Sequence, residues 1–409
     1  MGSAYSRTAL CTRIHALIFN QGVPSIFLTI NPADIHSPVA LYFAGVQLNL
    51  DQIKDEQLMD TYQRAEIIAS HPVATAKFFH VLIGNILETI IMCGVLGPIK
   101  AYFGTVESQG RGLLHLHLLI WLDHDMKPAD MKEKIQDATF RTKLIAYLED
   151  IIKEDIDEFK EKQVIESSDV FSGMNVSSNQ SNLPPACLPT PNPSSPNFRS
   201  KFCAHVAQVA ESSNTHRHCG TCFKYCKGVK RICRSIMPRK KVPVSTIGSE
   251  IGGISMKRSD PWMNNFNEYI ISACRSNMDI KFIWTGNDTK ALVYYITDYV
   301  TKMSLSFQDT FSLVQKSITS LQNPNNQVDT ENVIEKSRKL VLRCYNALAS
   351  QQELSGVQFA SYLMNWDDHY TTHKFQGLYL IQTERFLQSE LNEMRAKQNL
   401  QSTPQGKSN

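Results

Sequence analysis

The sequence predicts an α+β fold built on an antiparallel β-sheet, and three observations point to it. A short apolar run, Ser25 to Ile30, has strand composition and ends at Asn31-Pro32. Between Tyr102 and Leu122, two apolar and partly β-branched runs flank the turn signal Gly110-Arg111-Gly112, which reads as a β-hairpin. Around these strands, apolar residues recur every three or four positions, the spacing of helices with one buried side.

Residues 8–20 read as a helix with Leu10, Ile14, Leu17 and Ile18 on one side, stopped by Gly22-Val23-Pro24. Residues 51–70 and 72–93 read as two more helices. The second opens with Pro72, whose missing N–H costs nothing in a first turn. Its stripe is Phe78, Phe79, Leu82, Ile86, Leu87 and Ile90. Lys77, His80, Asn85 and Glu88 interrupt the run, so no membrane span and no membrane partner are expected. No signal peptide is visible. Gly94 to Pro98 ends the helix and leads into the hairpin. Residues 130–162 read as one or two charged surface helices. Further on, residues 264–274 read as a helix and 280–284 as a strand. Asn287-Asp288 is a capping signal before an apolar-periodic helix running to Lys302. Residues 330–349 and 353–363 close the series as helices.

A chain of 409 residues suggests two or three domains. Its 42% hydrophobic and 20% charged content is ordinary for a globular protein, and a net charge of +3 argues for no partner by itself. The distribution says more. Residues 166–200 are dense in Ser, Asn and Pro, the composition of a loop or linker. Of ten cysteines, five fall between residues 203 and 233, a clustering that favours a metal knuckle in a reducing compartment over a disulfide scaffold. The expected segmentation is therefore a first core part (1–154), an insertion or linker (155–200), a zinc knuckle with a basic segment (201–245), a second core part carrying the Asn287–Lys302 helix (246–310), a C-terminal helical region (311–390) and a disordered tail (391–409).

Three groups of residues carry candidate chemistry. On the second hairpin strand, His115 and His117 are two apart, so both imidazoles share one face while Leu116 and Leu118 pack on the other. Glu107 and Gln109 share a face of the incoming strand in the same way. Two imidazoles facing a carboxylate or amide oxygen are the makeup of a divalent metal site with open positions. Glu107 is the preferred third ligand, because its charge suits hard Mg²⁺ or Mn²⁺. The second group is His205, His216, His218, Cys219, Cys222, Cys226 and Cys233, any four of which could close a tetrahedral Zn²⁺ site. The preferred set is His218, Cys222 and Cys233 with one of His216, Cys219 or Cys226. Lys224, Lys227, Lys230, Arg231, Arg234, Arg239, Lys240 and Lys241 follow with no acid among them, and Phe223 and Tyr225 interleave, a pattern suited to a nucleic-acid backbone. In the third group, Tyr295 and Tyr299 lie four apart on one helical face, with Lys290 and Lys302 nearby, while Tyr294 points elsewhere.

The run Val106 to Trp121 resembles the His-hydrophobe-His (HUH) motif of rolling-circle replication initiators, closest to the form in Helitron transposases. Phe27 to His36 resembles the first Helitron motif, and Tyr295 to Lys302 the two-tyrosine motif. The His-x-His and cysteine block, and the run Glu353 to Tyr370, are similar to further parts of the Helitron initiator region. The resemblance spans about residues 10–380 apart from the Pro- and Ser-rich insertion. It implies an HUH endonuclease core, a single-stranded DNA partner, and 5′-phosphotyrosine chemistry at Tyr295 or Tyr299 assisted by Mg²⁺ or Mn²⁺. It also implies structural Zn²⁺, a nuclear location, and Asn31, Asp34 and His36 near the site. Helitron proteins continue into a helicase. This chain has no Gly-x-x-x-x-Gly-Lys-Ser/Thr loop, so that domain is expected to be missing from it.

Overall fold

The computed structural model describes residues 4–50, 53, 58–109, 112–124, 130, 133–160, 184–224, 232–248, 253–283, 294, 307–321, 333–350, 354–377 and 379–401. The chain divides into two compact units, residues 1–372 and 373–409.

In the first unit, α1 (Ala4–Gln21) precedes β1 (Ile26–Ile30), and α2 (Pro38–Phe43), α3 (Thr61–Ser70) and α4 (Pro72–Asn85) follow. A π-helical turn, Ile86–Ile91, extends α4. The hairpin strands are β2 (Ile99–Gln109) and β3 (Leu113–Leu122). Then come α5 (Ala138–Ile151), α6 (Phe198–Val209), the small hairpin β4 (Thr246–Ile247) and β5 (Ile254–Ser255), α7 (Glu268–Cys274) and β6 (Met278–Phe282). Two amphipathic helices that pack on each other, α8 (Phe307–Leu321) and α9 (Val333–Ser350), lead to α10 (Gly356–Leu363) and β7 (His369–Thr371). The second unit carries α11 (Leu380–Gln401).

Five of these strands form one antiparallel sheet in the order β6-β1-β3-β2-β7. Strand alternation decides what each face does. Leu116, Leu118 and Ile120 of β3, with Ile26, Leu28 and Ile30 of β1, are fully buried against apolar residues of α4, α5, α6 and α7. Each such side chain contributes roughly 1.5–3 kcal/mol by leaving water. A one-residue slip would turn the whole set outward, so this packing fixes the register. The opposite face is apolar at one end, where Phe27, Phe103, Leu119 and Trp121 are buried. There Trp121 Nε1 donates to the Gly22 carbonyl just after α1 (2.7 Å). At its other end the same face carries Thr29, Thr105, Glu107, His115 and His117.

Several sequence expectations are corrected. Within the described part of the helix expected over 51–70, α3 begins at Thr61. Asp60 accepts from Gln63 N (2.8 Å) while Gln63 Oε1 accepts from Asp60 N (3.2 Å), a reciprocal cap that sets the boundary. The expected linker over 155–200 is packed structure from residue 184 onward: Ala186, Cys187 and Leu188 are buried, and Arg275 donates to the carbonyls of Ala186 (3.3 Å) and Leu188 (2.6 Å). The region 311–390, expected to be helical, supplies the sheet's edge strand β7. The tail expected to be disordered from residue 391 is helical to Gln401. The segment Pro72–Ile91 is long and apolar enough to cross a membrane by length and composition, but half of it is buried inside this fold.

Candidate functional site

Strand β3 places His115 and His117 on the sheet face opposite the leucine core. The register sets Glu107 across from His115 and Thr105 across from His117. The Glu107 carboxylate reaches diagonally, so that its Oε2 lies 2.8 Å from His117 Nε2. The other ring nitrogen of His117, Nδ1, is 3.2 Å from Thr29 Oγ1 on β1, and Phe27 stacks on the ring at 6.0 Å. His115 Nδ1 is hydrogen-bonded to Asn31 Oδ1, one residue beyond the end of β1. Burial pushes the His115 pKa down to about 4 despite the opposing pull of Glu107, so the ring is neutral at pH 7. Each imidazole thus has its Nδ1 held from the β1 side, His117 by Thr29 and His115 by Asn31. This is how ligating histidines are commonly oriented.

The donor set could hold a divalent cation, its carboxylate suiting a hard ion and its two imidazoles a softer one. Ligands in adjacent positions on an octahedral ion at about 2.1 Å stand about 3 Å apart, close to the 2.8 Å between His117 Nε2 and Glu107 Oε2. A neutral imidazole at His115 and a carboxylate at Glu107 provide the remaining donor types. His115 is not drawn into as tight a cluster: among the described residues, the set whose three ligand atoms all lie within 4.8 Å of one another is His216, His218 and Cys233. Gln109 sits opposite Leu113, at the turn end of the hairpin and past both histidines. Of the residues expected near the site from the first motif, Asn31 reaches it directly. Asp34 is buried and accepts from Ile35 N (2.7 Å), and burial raises its pKa to about 6. His36 is 3.4 Å from the Arg64 guanidinium on α3.

The His/Cys cluster follows α6 and could hold a metal ion such as zinc. His216 Nε2 is 3.5 Å from Cys222 Sγ and 3.4 Å from Cys233 Sγ, and the sulfurs of Cys219 and Cys222 are 3.7 Å apart. For a zinc tetrahedron with Zn–S near 2.3 Å and Zn–N near 2.0 Å, edges of roughly 3.5–3.8 Å are required. Among the described residues, His216, His218 and Cys233 form the tightest set, and His216 also approaches the Cys222 sulfur. The His218 ring packs edge-on against Phe223 and Trp262 at 4.9 and 5.0 Å. Cys226 lies outside the described residues.

The basic segment is divided. Lys224, Arg234, Lys240 and Lys241 are exposed. Arg239 donates to Asn265 Oδ1 (2.7 Å) and stands 3.8 Å from Asp279 of β6, contacts that brace the fold. Lys227, Lys230, Arg231, Lys290, Lys302 and both candidate nucleophiles, Tyr295 and Tyr299, lie outside the described residues. Tyr294 is described and exposed.

Sequence reasoning missed Thr29, Asn277 and His369. Their roles depend on which strand neighbours which, and no local pattern reports that. His369 of β7 accepts from Arg13 of α1 at 2.8 Å through Nε2, and its Nδ1 is 3.1 Å from Asp368.

Residues 1–120 match the family model described as the Helitron helicase-like domain at the N-terminus. That span holds α1, β1, Asn31, the whole of β2 with Glu107, and β3 through both histidines. Over that span the chain is similar to this Helitron-associated domain. No curated protein matches the chain.

Proposed function

We propose that this chain cleaves and rejoins single-stranded DNA as the nicking domain of a Helitron-type rolling-circle transposon, an HUH endonuclease of the two-tyrosine class. One observation carries the reading. A neutral His115 and a His117–Glu107 pair at ligand spacing share a sheet face inside the Helitron-like stretch. Glu107, His115 and His117 would hold Mg²⁺ or Mn²⁺, which when bound polarises the scissile phosphate and offsets the charge developing on it. The phenol oxygen of Tyr295 or Tyr299 attacks phosphorus and the bond from phosphorus to the 3′ oxygen breaks. The phenolic proton is lost to solvent, and the departing 3′ oxygen gains one. A free phenol has a pKa of about 10, so the attacking oxygen needs help in losing its proton at neutral pH, which a cation held nearby would supply. The 5′-phosphotyrosine conserves the ester bond, and the 3′-hydroxyl can reverse the step without ATP. Two tyrosines on one helical face suit the holding of two strand ends.

The His/Cys cluster would hold Zn²⁺ and brace the segment presenting the exposed Lys224, Arg234 and Lys240 to DNA. A helicase and transposon-end single strands are the partners this reading requires, and the nucleus is where it would act.

The test is a denaturing gel of the protein with labelled single-stranded DNA and Mn²⁺. A covalent adduct is expected from the wild type and none from Tyr295→Phe/Tyr299→Phe. A free 5′-phosphate without adduct would indicate attack by water. Salt-sensitive binding with no cleavage would reduce the protein to a zinc-containing DNA-binding relative.

A further inference from the structure

A line of asparagine side chains runs from the His/Cys cluster to His115. Asn214, fully buried and two residues before His216, donates through Nδ2 to the backbone carbonyl of Asn264 (2.9 Å). Its Oδ1 accepts from the backbone N–H of Met278 (2.9 Å) and from Asn277 Nδ2 (3.3 Å). Asn277 Oδ1 in turn accepts from Asn31 Nδ2 (2.9 Å), and Asn31 Oδ1 meets His115 Nδ1.

The direction of this line is forced from its far end. A backbone carbonyl only accepts and a backbone N–H only donates, so Asn264 O and Met278 N together fix which way the Asn214 amide faces. With Asn214 Oδ1 as acceptor, Asn277 must present its NH₂ there and its oxygen to Asn31. Asn31 must then present its NH₂ to Asn277 and its oxygen to His115. Of the two neutral tautomers, only one satisfies that oxygen: the one with a proton on His115 Nδ1 and the lone pair on Nε2.

We propose that Asn214, Asn277 and Asn31 form a relay, anchored on the backbone beside the His/Cys cluster, that sets the tautomer of His115 and so makes Nε2 its metal-binding atom. The three are positioning residues for a ligand whose role rests on the function proposed above. The backbone pairing beside Asn214 places the cluster at the root of the relay. Thr215 bridges to Met263, Asn264 N donates to Asn214 O (3.1 Å), and His216 N donates to Trp262 O (2.8 Å).

The experiment combines Mn²⁺ titration of the full chain with ¹⁵N NMR of the metal-free protein labelled at histidine, where protonated and bare ring nitrogens resonate far apart. Wild type is expected to show His115 protonated at Nδ1. Asn277→Leu and Asn31→Leu are expected to give mixed tautomers and Mn²⁺ binding weakened by roughly 10–100-fold, the usual effect of removing a partner that orients a ligand. Asn31→Asp keeps an acceptor for His115 while losing the donor to Asn277, and is expected to keep both the tautomer and most of the affinity. Because Asn31→Asp removes a relay bond but not the acceptor, it separates loss of orientation from loss of folding. A wild-type His115 protonated at Nε2, or an Asn277→Leu protein with unchanged tautomer and affinity, overturns the relay. Unchanged Mn²⁺ affinity in His115→Ala instead overturns the metal site of the proposed function, and the NMR readout of the relay stands apart from that result.

Discussion

Glu107 Oε2 lies 2.8 Å from His117 Nε2, although the strand register sets Glu107 opposite His115. The carboxylate therefore spans the two histidines, touching one and facing the other across the ladder. Glu107→Gln keeps the shape and removes the charge that a hard cation prefers. Mn²⁺ affinity is expected to fall at least as far as when a partner that orients a ligand is removed, roughly 10–100-fold. Titration calorimetry checks this. Equal affinity in the variant would remove Glu107 from the site.

Gly104, in the middle of β2, faces the leucine core. A Cβ built there would stand 2.8 Å from Leu118 Cδ1 and 2.9 Å from Leu116 Cδ1, both on fully buried residues of the histidine strand. Gly104→Ala must push those side chains aside, at a cost of roughly 1–3 kcal/mol typical of overpacking. Denaturant unfolding of the variant should show that loss. Stability equal to the wild type would mean that the strand pair opens at no cost.

The hairpin was legible because its chemistry is local. Alternating leucines and histidines in β3 define two faces, and a Gly-rich turn sets which strand they meet. The same logic located β1, a short run of large apolar residues stopped by proline. Strand β7 was not legible. Its three residues, His369 to Thr371, are polar or aromatic and join the sheet only because β2 offers an unpaired edge. The role of Asn31 was hidden for a related reason. Its partners, His115 and Asn277, are 84 and 246 residues away in sequence. The composition of 166–200 misled around residues 186–188, where Ala186, Cys187 and Leu188 are buried and carbonyls are taken up by Arg275.

His216 stands at tetrahedral-edge distances from two sulfurs, those of Cys222 and Cys233. His216→Ala and Cys233→Ala are each expected to lose bound zinc, measured by elemental analysis after dialysis, because each removes a ligand from the cluster. His218→Ala is expected to lose zinc as well, since its ring nitrogen lies within 4.8 Å of the ligand atoms of both His216 and Cys233. Zinc retained in that variant would remove His218 from the cluster.

His80 of α4 joins the C-terminal part of the first unit to its helical layer. Its Nδ1 is 2.5 Å from Tyr370 Oη, its Nε2 is 3.3 Å from Ser361 Oγ, and its ring stacks on Trp366 at 4.8 Å. Burial lowers its pKa from 6.5 to about 4. The unfolded chain therefore takes up this proton first as pH falls. The stabilisation from His80 is complete above pH 6.5 and drains away between 6.5 and 4. Asp34 and Glu154 work in the opposite sense, since burial raises their carboxyls to about 6 and about 7, so each favours the folded state as it gains a proton. Wild-type melting alone mixes these contributions, but the difference between wild type and His80→Gln isolates one. At pH 7.5 the variant should melt lower, having lost the ring stacked on Trp366, and the gap should narrow steadily toward pH 4.5. A gap that stayed constant over that range would mean that His80 titrates alike in the folded and unfolded chains, and that its burial does not oppose charging.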